Sequence, residues 1–272
     1  MASQLSTGFV AATLVGVLWM LIFPILLALV ARRRLSSPWR YFWIGALTFF
    51  LSQVVTRIPA VQAIGPTLQS APGLLWTWVL VLALTAGLFE EVGRYVAFRW
   101  LAHRERLTWA NTVFFGIGHG ALEAMLLGAG LTVVSLASMM SMTPETLAAL
   151  PPEQRGLAEQ QLAQAAAAPA WAGLLGAWER MWAMALHVGF SVVVLQAFRR
   201  HAVRWLWLAI VAHAAVDFTV GASALLFGRG LSTTVVLEVL VTIYALVAVW
   251  ATWRLRDSAG PGIPRQQPRS QR

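Results

Sequence analysis

Long apolar segments alternate with short polar ones along most of the chain. Seven of these segments have about 20 residues or more, the length that a helix needs to cross the hydrocarbon core of a bilayer. They cover residues 9–30, 41–58, 74–100, 109–139, 171–198, 205–227 and 231–253. The pattern predicts an all-α, polytopic helical membrane protein with about seven transmembrane helices.

The polar stretches outside these segments complete the predicted organisation. Residues 1–257 are expected to form a single integral membrane domain, in which residues 141–170 are an external loop containing a short helix. Residues 258–272 contain proline, glutamine and arginine but almost no apolar side chains, which is typical of a disordered tail.

Composition agrees with a membrane location and narrows the chemistry. Hydrophobic residues make up 58% of the 272 residues and charged ones only 11%, and the mean hydropathy is +0.68. Soluble domains have about 25% charged residues. We therefore expect a multi-pass protein of the cell membrane, in contact with lipids. The absence of cysteine excludes disulfide bonds and thiolate ligands, so a metal site would need histidine and carboxylate.

The distribution of arginine predicts the orientation. The net charge is +9, and the chain contains arginine but no lysine. The arginines concentrate after the first, third, fifth and seventh segments. Short loops rich in arginine stay on the cytoplasmic side. The N-terminus is thus predicted outside, and the C-terminus inside with a cytoplasmic tail. Because the arginines form no patch interleaved with aromatic residues, no nucleic-acid partner is expected.

Ionisable side chains inside the apolar segments are the candidate chemistry. A charge at the centre of a span costs about 3 kcal/mol on insertion scales. The seven formally charged residues would together cost about 20 kcal/mol if none were paired, so they must contact one another or water. The ionisable residues are Glu90, Glu91, Arg94, His119, Glu123, Glu179, Arg180, His187, His213 and Asp217.

Spacing and depth bring several of these side chains together. Three i,i+4 pairs share a helix face, namely Glu90 with Arg94, His119 with Glu123, and His213 with Asp217. At about 1.5 Å per residue, four side chains from four helices lie about 12 to 16 Å from the inner face: Glu90, His119, His187 and His213. A carboxylate and three imidazoles match a four-coordinate zinc site, or an open catalytic one with water. We therefore predict zinc as a cofactor, with the three histidines as metal ligands.

Four short motifs stand in order within residues 74–227. They are Glu-Glu-Val-Gly-Arg-Tyr at 90–95, Gly-Ile-Gly-His-Gly-Ala-Leu-Glu at 116–123, His-Val-Gly-Phe-Ser at 187–191 after Glu179 and Arg180, and His-Ala-Ala-Val-Asp at 213–217. Together they resemble the YhfC family of membrane peptidases. That family is distantly related to the CAAX prenyl proteases and bacteriocin-processing proteins, to the PrsW proteases and to the Aph subunit of gamma-secretase.

The resemblance implies a glutamate-dependent intramembrane metalloprotease that acts on a transmembrane or membrane-associated peptide. By similarity, Glu90 or Glu91 would activate a water molecule, and Arg94 would complete the catalytic set. Which of the two glutamates is the base stays open at this point.

The histidines have complementary roles under the same resemblance. His119 and His213 would bind the metal, or orient the water and stabilise the oxyanion, and Asp217 would orient His213. Apart from the resemblance, Glu123, Glu179 and Arg180 are expected to support the ligand residues, with Glu179 and Arg180 forming an ion pair between helices.

Two other classes of protein fit the same residues. A proton- or ion-coupled transporter would use buried histidine, glutamate and arginine as a relay. A non-catalytic membrane scaffold would use them to join helices. The sequence predicts no particular oligomeric state.

Overall fold

A computed structural model of the protein describes residues 5–69, 72–105 and 107–256. Over these ranges the chain is helical nearly throughout and forms no strand. Helices satisfy their own backbone hydrogen bonds, as a segment surrounded by lipid must. The α-helices are α1 (Thr7–Leu35), α2 (Trp39–Phe49), α3 (Ile58–Gln69), α4 (Leu75–Ala102), α5 (Trp109–Glu123), α6 (Leu131–Ser141), α7 (Pro144–Ala148), α8 (Pro152–Ala167), α9 (Leu175–Arg199), α10 (Arg204–Phe227) and α11 (Leu231–Arg254).

Four other helical segments join these elements. The π-helical segment Phe50–Arg57 continues α2 into α3, and the π-helical segment Ala124–Gly130 continues α5 into α6. Short 3-10 helices at Pro72–Leu74 and Ala170–Leu174 precede α4 and α9. Several helices of the fold are therefore parts of longer continuous rods.

Seven helical rods in the described chain are long and apolar enough to cross a membrane, which confirms the predicted number. The second rod continues to Leu68, beyond the predicted end at Ile58. Pro59 does not end the helix, because it follows a π-helical segment whose hydrogen bonds have already left the i→i−4 pattern that proline interrupts. The protein is thus a multi-pass membrane protein, and the sidedness of its termini stays a prediction. The rods are Thr7–Leu35, Trp39–Leu68, Leu75–Ala102, Trp109–Ser141, Ala170–Arg199, Arg204–Phe227 and Leu231–Arg254.

Two glycines let the helices that carry the candidate residues pack closely. Gly87 on α4 faces α10, where a Cβ atom would come within 2.5 Å of the Ile210 carbonyl oxygen. Gly116 on α5 faces α9, where a Cβ atom would come within 2.7 Å of the Val188 Cα. Small residues allow such close backbone contacts between membrane helices. The ionisable side chains of α4, α5, α9 and α10 therefore meet at the centre of the bundle.

An apolar core occupies the part of the bundle nearer to the arginine-rich helix ends. Its aromatic members include Phe98, Phe114 and Phe115, each 1% exposed or less. The Phe98 ring lies 4.8 Å from the Phe115 ring and 6.4 Å from the Phe198 ring. The outer surface instead carries many exposed leucine, valine and tryptophan side chains, as a lipid environment favours.

The polar stretch 141–170 contains two helices, α7 and α8, where one was predicted. A capping box formed by Thr143 and Thr146 begins α7, and Pro152 begins α8 at the first helical position, where proline is favoured. The predicted disordered tail at 258–272 lies outside the described residues.

Candidate metal and catalytic site

Glu90 on α4 lies at the centre of the buried ionisable side chains and is 3% exposed. Its Oε2 atom lies 2.8 Å from His119 Nε2 on α5 and 3.6 Å from His187 Nδ1 on α9. Arg94 Nη2 lies 3.2 Å from the same oxygen. On the other side of the carboxylate, the Gln53 amide donates a hydrogen bond to Oε1. Glu90 therefore joins four helical rods at one point.

Glu91 is 0% exposed and faces a different set of partners. Its Oε1 atom accepts from Arg94 Nη1 and lies 2.7 Å from His213 Nδ1 on α10. Since an ionised carboxylate only accepts hydrogen bonds, His213 carries its proton on Nδ1. Glu91 thus anchors the arginine and fixes the orientation of this imidazole ring.

The tautomer of His187 follows from its contact with Arg94. Arg94 Nη2 lies 2.7 Å from His187 Nδ1, and a guanidinium can only donate. His187 Nδ1 is therefore an acceptor, and a neutral ring carries its proton on Nε2, which contacts Glu123. The expected pairing of His119 with Glu123 is not made, because Glu123 turns toward α9 and meets His187.

Arg180 links Glu123 to a further acidic side chain. Its Nη1 atom lies 2.8 Å from Glu123 Oε1, and its Nη2 atom contacts Glu179. The supporting residues predicted on α5 and α9 therefore form one ionic chain that begins at His187.

Three side chains form a compact group that could hold a metal ion. The ligand atoms of Glu90, His119 and His187 lie within 4.8 Å of one another, and all three residues are buried. His213 lies beside this group, with its Nε2 atom 3.9 Å from Glu90 Oε1 and its other nitrogen engaged by Glu91. Two imidazoles and one carboxylate match the protein ligands of catalytic zinc sites, which leave one position for water. The compact group is thus three residues rather than the predicted four.

The formal charges of the side chains around the metal-binding group also favour a cation there. With neutral imidazoles, the described side chains of this cluster carry five carboxylates and three guanidinium groups. The excess is two negative charges when all imidazoles are neutral and one when His213 carries both ring protons, and either excess favours a cation. The carboxylates are Glu90, Glu91, Glu123, Glu179 and Asp217, and the guanidinium groups are Arg57, Arg94 and Arg180.

Sequence reasoning missed two residues of the second rod, Gln53 and Arg57. Arg57 donates to the Gln53 side-chain oxygen at 3.0 Å, to Thr85 Oγ1 at 3.1 Å and to the Leu82 carbonyl oxygen at 2.7 Å. The arginine thereby orients the amide that donates to Glu90. Gln53 and Arg57 are polar residues four positions apart in an apolar segment, and this spacing could have identified them. The same spacing identified the pairs on the third, fourth and sixth segments.

Asp217 on α10 lies farther from its expected partner than predicted. Its Oδ2 atom is 3.9 Å from His213 Nε2, beyond hydrogen-bond distance, and its side chain is 39% exposed. Glu91 instead makes the bond that orients His213. Asp217 lines a cavity of about 170 Å³ that also contacts Glu90, His187 and His213.

The fold and this site define a class of protein, namely a multi-pass helical membrane protein with a buried glutamate and histidine group suited to a metal ion. The chain belongs to the YhfC intramembrane metalloprotease family, whose sequence profile matches residues 19–241. The uncharacterized membrane protein YhfC of Bacillus subtilis (strain 168) is 32% identical over 259 residues, which cover 92% of this chain and 96% of that protein. No solved structure matches the chain. The family resemblance of the four motifs is thereby confirmed.

Proposed function

We propose that the protein is a zinc-dependent intramembrane peptidase in which Glu90 is the central catalytic residue. The observation that carries this proposal is the buried group of Glu90, His119 and His187, with ligand atoms within 4.8 Å of one another. Membership of the YhfC family supports the same activity. The substrate is a transmembrane or membrane-associated peptide, because the site lies among helices that are long and apolar enough to span a bilayer.

Glu90, His119 and His187 are the residues that would hold the ion, and His187 would bind it through Nδ1 in place of the hydrogen bond from Arg94. A bound zinc ion would supply Lewis acidity, which makes water a better nucleophile at neutral pH. The burial of the three side chains strengthens the electrostatic interactions among them.

Glu90 is a better general base than Glu91 because of where each carboxylate lies. Glu90 lines the cavity, whereas the described lining does not include Glu91, which is 0% exposed and engaged by Arg94 and His213. A general base must lie within hydrogen-bond reach of the water that it deprotonates. We assign one oxygen of Glu90 to hold the ion and the other to accept the proton of the attacking water, and Glu91 to position the arginine and the histidine.

His213 is the candidate donor to the scissile carbonyl. Its Nε2 atom lies 3.9 Å from Glu90 Oε1, while Nδ1 is held by Glu91. When both ring nitrogens are protonated, Nε2 can donate to the oxygen on which negative charge develops during hydrolysis. Its fixed orientation avoids reorganisation at that step.

The proposal is tested by comparing Glu90→Gln with Glu159→Gln in vesicles that contain the purified protein and a set of single-span peptides. Cleavage products are identified by mass spectrometry. The wild-type protein and the control at exposed Glu159 on α8 should cleave the same peptides, whereas Glu90→Gln should lose at least about 100-fold in rate, as removal of a general base does. Cleavage by Glu90→Gln at the wild-type rate would overturn the proposal.

A proton- or ion-coupled transporter is the second candidate, because polar contacts run continuously through the bundle. The contacts run from His213 through Glu91, Arg94, His187, Glu123 and Arg180 to Glu179. Asp217 lies 3.9 Å from His213, outside this series. Transport needs access from both sides, whereas aromatic side chains fill the bundle on the arginine-rich side of the site. Proton-dependent flux in liposomes, abolished in Glu90→Gln, would favour the transporter. Neither cleavage nor flux would favour the scaffold.

A further inference from the structure

The cavity beside Glu90 extends along several helices in one direction only. On α9 the lining runs from Phe190, whose ring closes one end, through His187 back to Glu179, and on α10 it runs from His213 forward to Val220. Each direction leads away from the helix end that bears arginines, namely Arg199 on α9 and Arg204 on α10.

On the second and fourth rods the cavity lining extends in the same direction. On the second rod the lining runs from Phe49, at the closed end, through Gln53 to Arg57, and on the fourth it runs from Glu123 to Leu127. These rods begin next to arginine-rich loops, so the lining again leads toward their opposite ends. Four helical rods therefore agree on the direction in which the cavity leaves the site.

Exposure of the charged side chains rises along this direction. The exposed fraction of the side chain is 4% for Glu90, 14% for Glu123, 20% for Arg180, 36% for Glu179 and 39% for Asp217. Charged side chains that faced lipid would each cost about 3 kcal/mol. The gradient is therefore best explained by water that enters beside Asp217 and Glu179.

The opposite end of the cavity is closed by aromatic rings. Phe49 packs edge-on against His119 with ring centres 5.3 Å apart, and Phe190 stacks on His213 at 4.8 Å. Beyond these rings lies the apolar core with Phe98. Such a packed interior leaves no room for a water path in that direction.

We propose that the cavity admits water, and the peptide to be cleaved, from the membrane side opposite to the arginine-rich loops. If those loops are cytoplasmic, as their charge predicts, the peptide reaches Glu90 from the external side. At about 30 Å³ for each water molecule, the cavity of about 170 Å³ has room for about six of them. Admission of a peptide rests on the proposed peptidase function, whereas admission of water does not.

The absence of cysteine from the chain makes this proposal directly testable. Ala183 and Ser191 lie four residues before and four residues after His187 on α9, so they are matched positions on either side of the site. Ala183 lines the cavity, whereas Ser191 is 0% exposed and bonds the His187 carbonyl oxygen. Single-cysteine variants Ala183→Cys and Ser191→Cys each introduce one thiol with little change in size.

The thiols are challenged with a membrane-impermeant trimethylammonium methanethiosulfonate reagent, in intact cells and in inside-out vesicles. His103→Cys in the arginine-rich loop between α4 and α5, and Ala149→Cys in the loop between α6 and α9, mark the two sides. Ala183→Cys should react only from the side on which Ala149→Cys reacts. Ser191→Cys should react from neither side, and each thiol should react after denaturation.

Reaction of Ala183→Cys from the His103 side, or from neither side, would overturn the proposal, as would reaction of Ser191→Cys in the folded protein. Labelling does not depend on catalysis. A protein that cleaves no peptide but shows the expected labelling would refute the proposed function and leave the water path standing.

Discussion

Replacing Arg94 with methionine should remove the charge that holds the centre of the site together. Arg94 is 0% exposed, and its guanidinium contacts Glu91, Glu90 Oε2 at 3.2 Å and His187 Nδ1 at 2.7 Å. The variant leaves two adjacent carboxylates buried without their shared counter-charge. Because removal of one partner of a buried ion pair costs about 3 to 5 kcal/mol, we expect the free energy of unfolding to fall by at least about 3 kcal/mol.

The assay is reversible unfolding in detergent, followed by the fluorescence of the 14 tryptophans. The control Arg99→Met makes the same change at an exposed position of α4 and should shift the free energy of unfolding by less than about 0.5 kcal/mol. Adding Glu91→Gln to Arg94→Met removes one uncompensated charge and should recover about 1 kcal/mol or more. An Arg94→Met protein within about 1 kcal/mol of the wild type would refute the ion-pair reasoning.

Two further substitutions test how the site is supported. Gln53→Leu removes the amide between Arg57 and Glu90, and since hydrogen bonds to charged groups contribute about 1.5 to 3 kcal/mol, peptide cleavage should fall about 10- to 100-fold at unchanged zinc content. Loss of zinc in step with activity would show that the amide holds the ligands instead. Gly116→Ala would place a Cβ atom 2.7 Å from the Val188 Cα and should lower the free energy of unfolding by about 1 to 3 kcal/mol. At Gly176 an added Cβ atom would meet no neighbouring atom within 4 Å, so Gly176→Ala should have little effect in the same unfolding assay. If Gly116→Ala and Gly176→Ala lowered the free energy of unfolding equally, the close packing of α5 on α9 would be contradicted.

Sequence reasoning located the spans and the shared height of the site residues because both depend on distance along a helix. Counting residues placed Glu90, His119, His187 and His213 at one height; the structure brings the first three together, with His213 beside them. The height of a residue along its helix does not determine which neighbour its side chain contacts. The Glu123 side chain contacts His187 on α9 rather than its own i−4 neighbour, and His213 on α10 contacts Glu91.

Other features depended on local backbone geometry that hydropathy does not report. Gln53 carries no charge, and Arg57 lay one residue before the predicted end of its segment at Ile58. The π-helical segment that contains both residues continues the helix and brings them beside α4. The direction in which the cavity opens also depends on how four rods pack together. The polar residues of any one rod are compatible with an opening toward either side of the membrane.

The metal content of the purified protein tests the central claim most directly. Zinc measured by inductively coupled plasma mass spectrometry should be close to one ion per chain in the wild type. It should be lost in His119→Ala and in His187→Ala, and retained in the control His103→Ala, whose imidazole is exposed in a loop. Wild-type protein without zinc or another divalent metal, or full zinc content after both buried histidines are replaced, would contradict the account.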